Sequence, residues 1–418
     1  MKFGINTLDD LVVEGKTILC RVDINQPVDR KSGKLKDLTR IKACIPTIRE
    51  LSEKRAKTVL LAHQGGDLEY KNYYTTLPHS KALSEMLGRE VRFIDDVTGP
   101  AAREMIKGLR EGEILLLDNV RFVSEEMTLF ETKLNLSPEE QSRTQLVAKL
   151  APLADLYVCD AFAAAHRSQP SLVGFEEILP SAMGRLFEEE FCVISEVMEN
   201  PKRPCVFVLG GAKIQDAFMM MSAVCARGAA DLILTGGLVS HIMFLARGVD
   251  IGGPSTEFIH RNNLAEFIPI AKGILEKFPD KIILPSDLAY SANNERKELR
   301  VKDLPRDVLL ADIGHETVVL YRRIIEEAGT VFINGPVGVF ENEATEYGTK
   351  AIWGTTASSR CYSVLGGGDS IAAANRYGVE KGISYICTGG GALVRFLSGE
   401  ELPVVKALRN AAKRFGKG

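Results

Sequence analysis

The sequence contains no run approaching the ~18 consecutive apolar residues of a membrane span, so no spanning helix is expected. Its opening stretch, MKFGINTLDDLVVEG, has acids where a secretory signal would carry its apolar region. The eight cysteines stand singly, with no CxxC pair, and the six histidines are unclustered, which argues against a structural zinc site. Cys20, Cys159, Cys205 and Cys387 lie in or beside apolar runs, the setting of reduced, buried thiols in a cytoplasmic protein. A net charge of -3 leaves no global basic field for nucleic acid or an anionic membrane, so any basic site must be local. Internal repeats and low-complexity tracts are also missing.

What is present is a series of short, continuously apolar runs, each closed by turn residues and followed by a helical pattern. TILCRVDI, TVLLAH, EILLLDNV, LYVCDA, CVFVLGG, LILTGG, KIILPSD, TVFINGP, YSVLGGG and SYICTGGG are the clearest. Continuous rather than alternating hydrophobicity predicts parallel strands buried on both faces. The fold class is therefore α/β: two Rossmann-like lobes, each a mostly parallel sheet covered by helices. In SAMGRLFEEEFCVISEVMENPKRP, the residues Met183, Leu186, Phe187, Phe191, Ile194, Val197 and Met198 share one helical face, and Asn200-Pro201 stops the pattern. This stretch reads as a connecting helix (183–203) between an N-terminal lobe (1–182) and a C-terminal lobe (204–399). An ordinary crossover helix within one sheet is the alternative. The tail from about 400 to 418 is expected to pack back on the first lobe.

Ligands of open α/β sheets sit beyond the carboxyl ends of the strands, and there the two halves differ. The second half ends its strands in glycine: LGGAK (209–213), TGG (235–237), NGPVG (334–338), GGGDS (366–370) and TGGG (388–391). Bare backbone running into a helix start can cradle phosphate. Any one of these turns alone would be punctuation; several in one half point to a phosphate-rich ligand. Asp369 could carry Mg²⁺ and Ser370 a phosphate oxygen, although both residues also cap helices. Lys213, after a Gly-Gly turn, is a candidate phosphoryl clamp. The first half instead offers Arg21, Asp23, Asn25, Arg40, His63, Asn119, Arg121, His166 and Arg167, a set suited to a small, strongly anionic ligand.

The missing motifs narrow the chemistry. GxxxxGK[ST] is absent, and the glycines do not fit GxGxxG with an acid about twenty residues on. No obvious carboxylate base stands beside the basic set in the manner of HRD-type kinases, which act on an alcohol. An acceptor that is already an ionised carboxylate needs no base, so acyl-phosphate chemistry fits best. A nicotinamide-dependent oxidoreductase and a non-catalytic nucleotide-binding module remain as alternatives.

RVDINQP, DLTRI, LLDNVRF, DAFAAAHR, LGGAK, NGPVGVFE, GGGDS and TGGGA occur in an order and spacing that resembles the phosphoglycerate kinase family over essentially the whole chain. The HQ and AAAHRSQPS spellings resemble its archaeal branch. The resemblance implies reversible transfer between 1,3-bisphosphoglycerate and ADP, giving 3-phosphoglycerate and ATP with Mg²⁺. It implies that Asp23, Asn25, His63, Arg121 and Arg167 hold the phosphoglycerate, with Arg40 over the migrating phosphoryl group. On the nucleotide side it implies Lys213 at the phosphoryl group, Glu341 at the ribose with Asn334 nearby, and Gly367, Gly368, Asp369 and Ser370 at phosphates and metal. Gly389, Gly390 and Gly391 would open a helix facing the same group. A cytoplasmic monomer or homodimer with hinged lobes is the corresponding expectation. The chain departs from the pattern at Gly66 (often arginine, with Lys71 a possible substitute), Ala217 (often lysine), Ala163-Ala164 (often Gly-Thr) and Ser370 (often threonine).

Overall fold

A computed structural model describes residues 1–29, 31–65, 73–126 and 135–416. Gly66 and Lys71 lie outside the described residues. The chain divides into two compact units, residues 1–192 with 401–418, and residues 193–400.

In the first unit β1 (Thr17–Arg21), β2 (Lys57–Leu61), β3 (Val91–Ile94), β4 (Ile114–Leu117), β5 (Leu156–Cys159) and β6 (Ser181–Met183) form one sheet in the order β3-β4-β2-β1-β5-β6. Every pairing is parallel. The central strands β1, β2, β4 and β5 are almost wholly buried, which is why they read as unbroken apolar runs. Ile18, Cys20, Leu60, Leu116 and Val158 pack with Ile41, Ile45 and Ile48 of the helix Thr39–Glu53 in one core cluster.

The second unit has a matching sheet. β7 (Cys205–Leu209), β8 (Leu232–Thr235), β9 (Ile282–Ile283), β13 (Thr330–Asn334), β14 (Tyr362–Gly366) and β15 (Tyr385–Ile386) run in the order β15-β14-β13-β7-β8-β9, again all parallel. The remaining strands, β10 (Asp287–Ala292), β11 (Glu295–Arg300) and β12 (Leu310–Ile313), make a separate antiparallel sheet in the order β11-β10-β12. Leu288 of β10 and Leu310 of β12 join Phe244 and Ile251 in a small apolar cluster beneath it.

The predicted connecting helix spans Arg185–Glu199, and the division between units falls within it, after Cys192. Met183 is the last residue of β6 rather than part of the helix. Phe187, Phe191, Ile194 and Val197 are each at most 1% exposed, as the one-face pattern requires. Asp160, at the end of β5, accepts from the backbone N–H groups of Leu186 (2.9 Å) and Phe187 (3.2 Å), so a buried carboxylate closes the helix start. None of the eight cysteines, all of them described, is disulfide-bonded, and all but Cys192 are buried. Among the described residues no helix is long and apolar enough to cross a membrane.

Candidate functional site

Because β4, β2, β1 and β5 are adjacent and parallel, their carboxyl ends share one edge of the first sheet. Asp23 and Asn25 follow β1, His63 follows β2, Asn119 and Arg121 follow β4, and Arg167 follows β5. Arg40 comes from the first turn of Thr39–Glu53, and its guanidinium pairs with the Asp23 carboxylate. The other Asp23 oxygen accepts from the Asn25 N–H at 3.1 Å, and Asn25 Oδ1 in turn accepts from the Gly65 N–H at 3.0 Å. Arg121 donates to the Gly65 carbonyl and lies 6.0 Å from the centre of the Tyr73 ring.

Burial pushes His63 well below the ordinary histidine range, and the positive charges of Arg21, Arg121, Arg167 and Arg40 add to that push. The imidazole is therefore neutral, and four guanidinium groups are near enough to act on it. Arg21 has an internal role. Fully buried, it donates to Ser171 Oγ (2.8 Å) and the Val22 carbonyl (2.7 Å), and contacts His63 Nδ1 (3.1 Å). Ser171 donates from its backbone N–H to Glu126 (2.8 Å), so a buried chain runs from His63 through Arg21 to Glu126.

A second brace was not evident from sequence. Asn119 Nδ2 donates to the Gln64 carbonyl (2.7 Å) and the Tyr74 carbonyl (3.0 Å), while its Oδ1 accepts from the Arg121 N–H (3.1 Å) and caps the turn Val120–Phe122. Gln64 exchanges two hydrogen bonds with the Gln26 backbone (3.0 and 2.8 Å) and meets His79 Nε2 at 2.9 Å. The loops after β1, β2 and β4 are thereby tied together.

In the second unit one cavity of roughly 100 Å³ gathers the glycine turns after β7, β13, β14 and β15. Three helices begin at its wall: Ile214–Ala226 behind Lys213, Gly368–Tyr377 behind Gly367, and Gly390–Leu397 behind Gly389. None of the three has a side-chain cap, so their first N–H groups are free to meet a ligand. Lys213, Asn334, Gly367, Gly368, Asp369 and Ser370 all line this cavity. Two of these glycines are sterically required. Gly335 has φ 88°, and a Cβ there would stand 2.2 Å from the Gly210 carbonyl oxygen. Gly367 has φ 87°, with Asn334 Oδ1 at 2.6 Å from where its Cβ would be. Ser370 is buried, and its Oγ accepts from the Gly335 N–H at 2.7 Å, so it also braces two glycine turns. Ala217, where a lysine is common in the family pattern, is buried against the same cavity.

A second cavity, roughly 310 Å³, shares Gly211, Ala212 and Asp369 with the first. Its walls are largely apolar, with Leu238, Phe258, Leu309, Val339 and Phe340, and Glu341 is exposed on its lining. The available signal was exposure rather than motif: Phe258 is 38%, Leu309 50% and Val339 50% exposed. A phosphate-sized polar cavity opening into an apolar one of nucleoside dimensions is the arrangement a nucleotide needs. Among the described residues no three His, Cys, Asp or Glu side chains group to hold a metal unaided. A cation held by one carboxylate and by ligand phosphates fits this donor set, and Asp369 is placed for it on both cavities.

Comparison with known proteins gives one answer. The family described as "Phosphoglycerate kinase" matches residues 8–400. The chain is 48% identical over 412 residues to the phosphoglycerate kinase of Methanothermobacter thermautotrophicus, covering 98% of each chain. It is 44% identical to that of Thermococcus kodakarensis, again over 98% of each. The crystal structure of phosphoglycerate kinase from Pyrococcus horikoshii matches with a TM-score of 0.87 at 42% identity, covering 98% of this chain and 100% of that one. The enzyme structure from Coxiella burnetii matches with a TM-score of 0.82 at 29% identity, covering 97% and 99%.

Proposed function

The chain belongs to the phosphoglycerate kinase family and is a phosphotransferase of that type, and we propose that it works through the residues assembled above. The 3-phosphoglycerate binds at the basic edge of the first unit, on Asp23, Asn25, His63, Arg121 and Arg167. ATP or ADP binds in the second unit, phosphates on the helix starts after Lys213, Gly367 and Gly389, and nucleoside in the apolar cavity near Glu341. The convergence of three uncapped helix starts with Lys213 on one cavity carries this reading.

In this reading the acceptor is the ionised carboxylate of 3-phosphoglycerate, so no side chain has to remove a proton from it. What the protein supplies is alignment and charge. Arg40 lies over the migrating phosphoryl group from the acceptor side and is oriented by Asp23. Lys213 and the backbone N–H groups of residues 390 and 391 neutralise it from the donor side. Asp369 would hold Mg²⁺ on the nucleotide phosphates, where the cation offsets charge on the transferring oxygens. Neutral His63 can hydrogen-bond the substrate without adding a proton that could be lost. Donor and acceptor oxygens must come into line, so binding of both ligands is expected to draw the units together and lower the radius of gyration in solution scattering. An unchanged radius would count against the closure. A cytoplasmic monomer or homodimer goes with this reading.

The direct test is a coupled assay with 3-phosphoglycerate, ATP and Mg²⁺. Turnover that needs all three supports the reading. Nucleotide binding without turnover would favour a regulatory module, and nicotinamide binding an oxidoreductase.

A further inference from the structure

The apolar cavity of the second unit contains one polar side chain whose hydrogen-bonding capacity is not used. His241 sits in the second turn of the helix Gly237–Ala246 and shares a face with Gly237 and Leu238, so all three line the cavity. It is 3% exposed, and burial alone, with no charge or hydrogen bond contributing, lowers its pKa to about 4. The ring is consequently neutral at working pH, with one donor and one acceptor nitrogen. Ser255, the other polar side chain on the enclosed wall, is already committed: its Oγ donates to the Val308 carbonyl (3.1 Å) and accepts from the Leu310 N–H (3.0 Å). Glu341 and Asp369 are exposed acids, suited to a ribose or a cation rather than to a base. The imidazole lines the cavity without a hydrogen-bond partner among the described residues, so a bound ligand can complete it.

We propose that His241 hydrogen-bonds the polar edge of the purine base and thereby sets which purine nucleotide this enzyme prefers. The inference rests on the assignment of this cavity to the nucleoside. Adenine and guanine present donor and acceptor atoms in opposite order along that edge, so they call for opposite tautomers of the ring. The pocket's preference between the two tautomers therefore ranks the two bases, and a base facing the wrong tautomer leaves a polar group unpaired.

The test compares kcat/KM for ATP and GTP, at saturating 3-phosphoglycerate, in wild type, His241→Phe and His241→Asn. Phenylalanine keeps an apolar ring and removes both nitrogens; asparagine keeps a donor and an acceptor. The phenylalanine variant is expected to change the ATP/GTP ratio by roughly fivefold or more, through KM rather than kcat, with KM for 3-phosphoglycerate unchanged. The asparagine variant should stay closer to wild type. A ratio within twofold of wild type in His241→Phe overturns the proposal. A second measurement needs no variant: the imidazole ¹⁵N signals of His241 in the intact protein should shift when ADP is added, and unshifted signals at ADP saturation overturn it equally. Absence of wild-type turnover with 3-phosphoglycerate would instead defeat the functional assignment, while the ADP titration would still report on His241.

Discussion

In the site proposed for the first unit the positive charge is carried by long side chains: Arg40, Arg121 and Arg167, with Arg21 fully buried. In the second it is carried mostly by backbone, at three helix starts packed against glycine turns. Both solutions meet oxyanions, but they fail in opposite ways. A guanidinium site is weakened by taking side chains away, whereas an amide cradle is weakened by adding them. The units should thus have mirror-image mutational profiles, with Lys213 the exception that behaves like the first unit.

The largest effect is expected at the two side-chain charges proposed to meet the migrating phosphoryl group. Arg40→Ala and Lys213→Ala should each lower kcat by on the order of 10²-fold or more, as loss of a transition-state charge donor does. Near-normal kcat in either variant would remove that residue from the reaction. Next is Gly335→Ala, which adds one methyl group in the second unit. Its Cβ would press on the Gly210 carbonyl in a backbone conformation that alanine resists, at a cost of about 1–3 kcal/mol. KM for ATP should rise more than about tenfold while KM for 3-phosphoglycerate stays put; equal changes in both would break the contrast between units. The converse is Arg121→Ala, expected to raise KM for 3-phosphoglycerate about tenfold through loss of a charged hydrogen-bond donor, with nucleotide affinity unaffected. Ser370→Ala should be milder, costing about 1 kcal/mol as the Gly335 N–H loses its acceptor. A urea midpoint indistinguishable from wild type would show that brace to be dispensable.

The smallest effect concerns pH. His63 is neutral in the folded unit and would take up a proton near the ordinary histidine value of 6.5 when unfolded. The unfolded state then binds more protons below that pH, so stability falls as pH drops through 6.5 and the loss ends only below the folded value. The slope is at most about 1.4 kcal/mol per pH unit. His63→Gln should flatten that part of the urea-midpoint profile between pH 5 and 7. The imidazole NMR signals of His63 should meanwhile show no titration near pH 6.5 in the folded protein, and a titration there would mean the ring is charged in the free site.

The ten continuous apolar runs were legible as strands because burial on both faces leaves no room for alternation. The strands that were not legible lack that signature. β3 is a half-buried edge, β6 has three residues, and β11, ERKELR, is largely exposed and almost entirely charged. The polar and glycine residues at strand ends could be read as sites because a parallel sheet collects all its carboxyl ends on one edge. The apolar cavity could not. Its Leu238, Phe258, Leu309 and Val339 come from four segments and look individually like core residues, and the antiparallel sheet that brings Leu310 to the wall was itself unseen. The Gln64–Asn119 brace was equally hidden, since amide side chains acquire a role only from the loops that surround them.

Residues 401–418 belong with residues 1–192, although the whole of the other unit lies between them in sequence. Asn6 donates to the Gly416 carbonyl at 2.8 Å, Arg414 pairs with Glu177 at 2.7 Å, and the Val404 N–H reaches the Ala165 carbonyl at 3.3 Å. During synthesis the stretch 193–400 is therefore complete before its predecessor can be. A chain ending just short of residue 401 would contain every residue of the second unit while the first still lacked its closing helix, Pro403–Phe415. Completion of the first unit thus waits on the last residues of the chain, although its sheet is the first to be made.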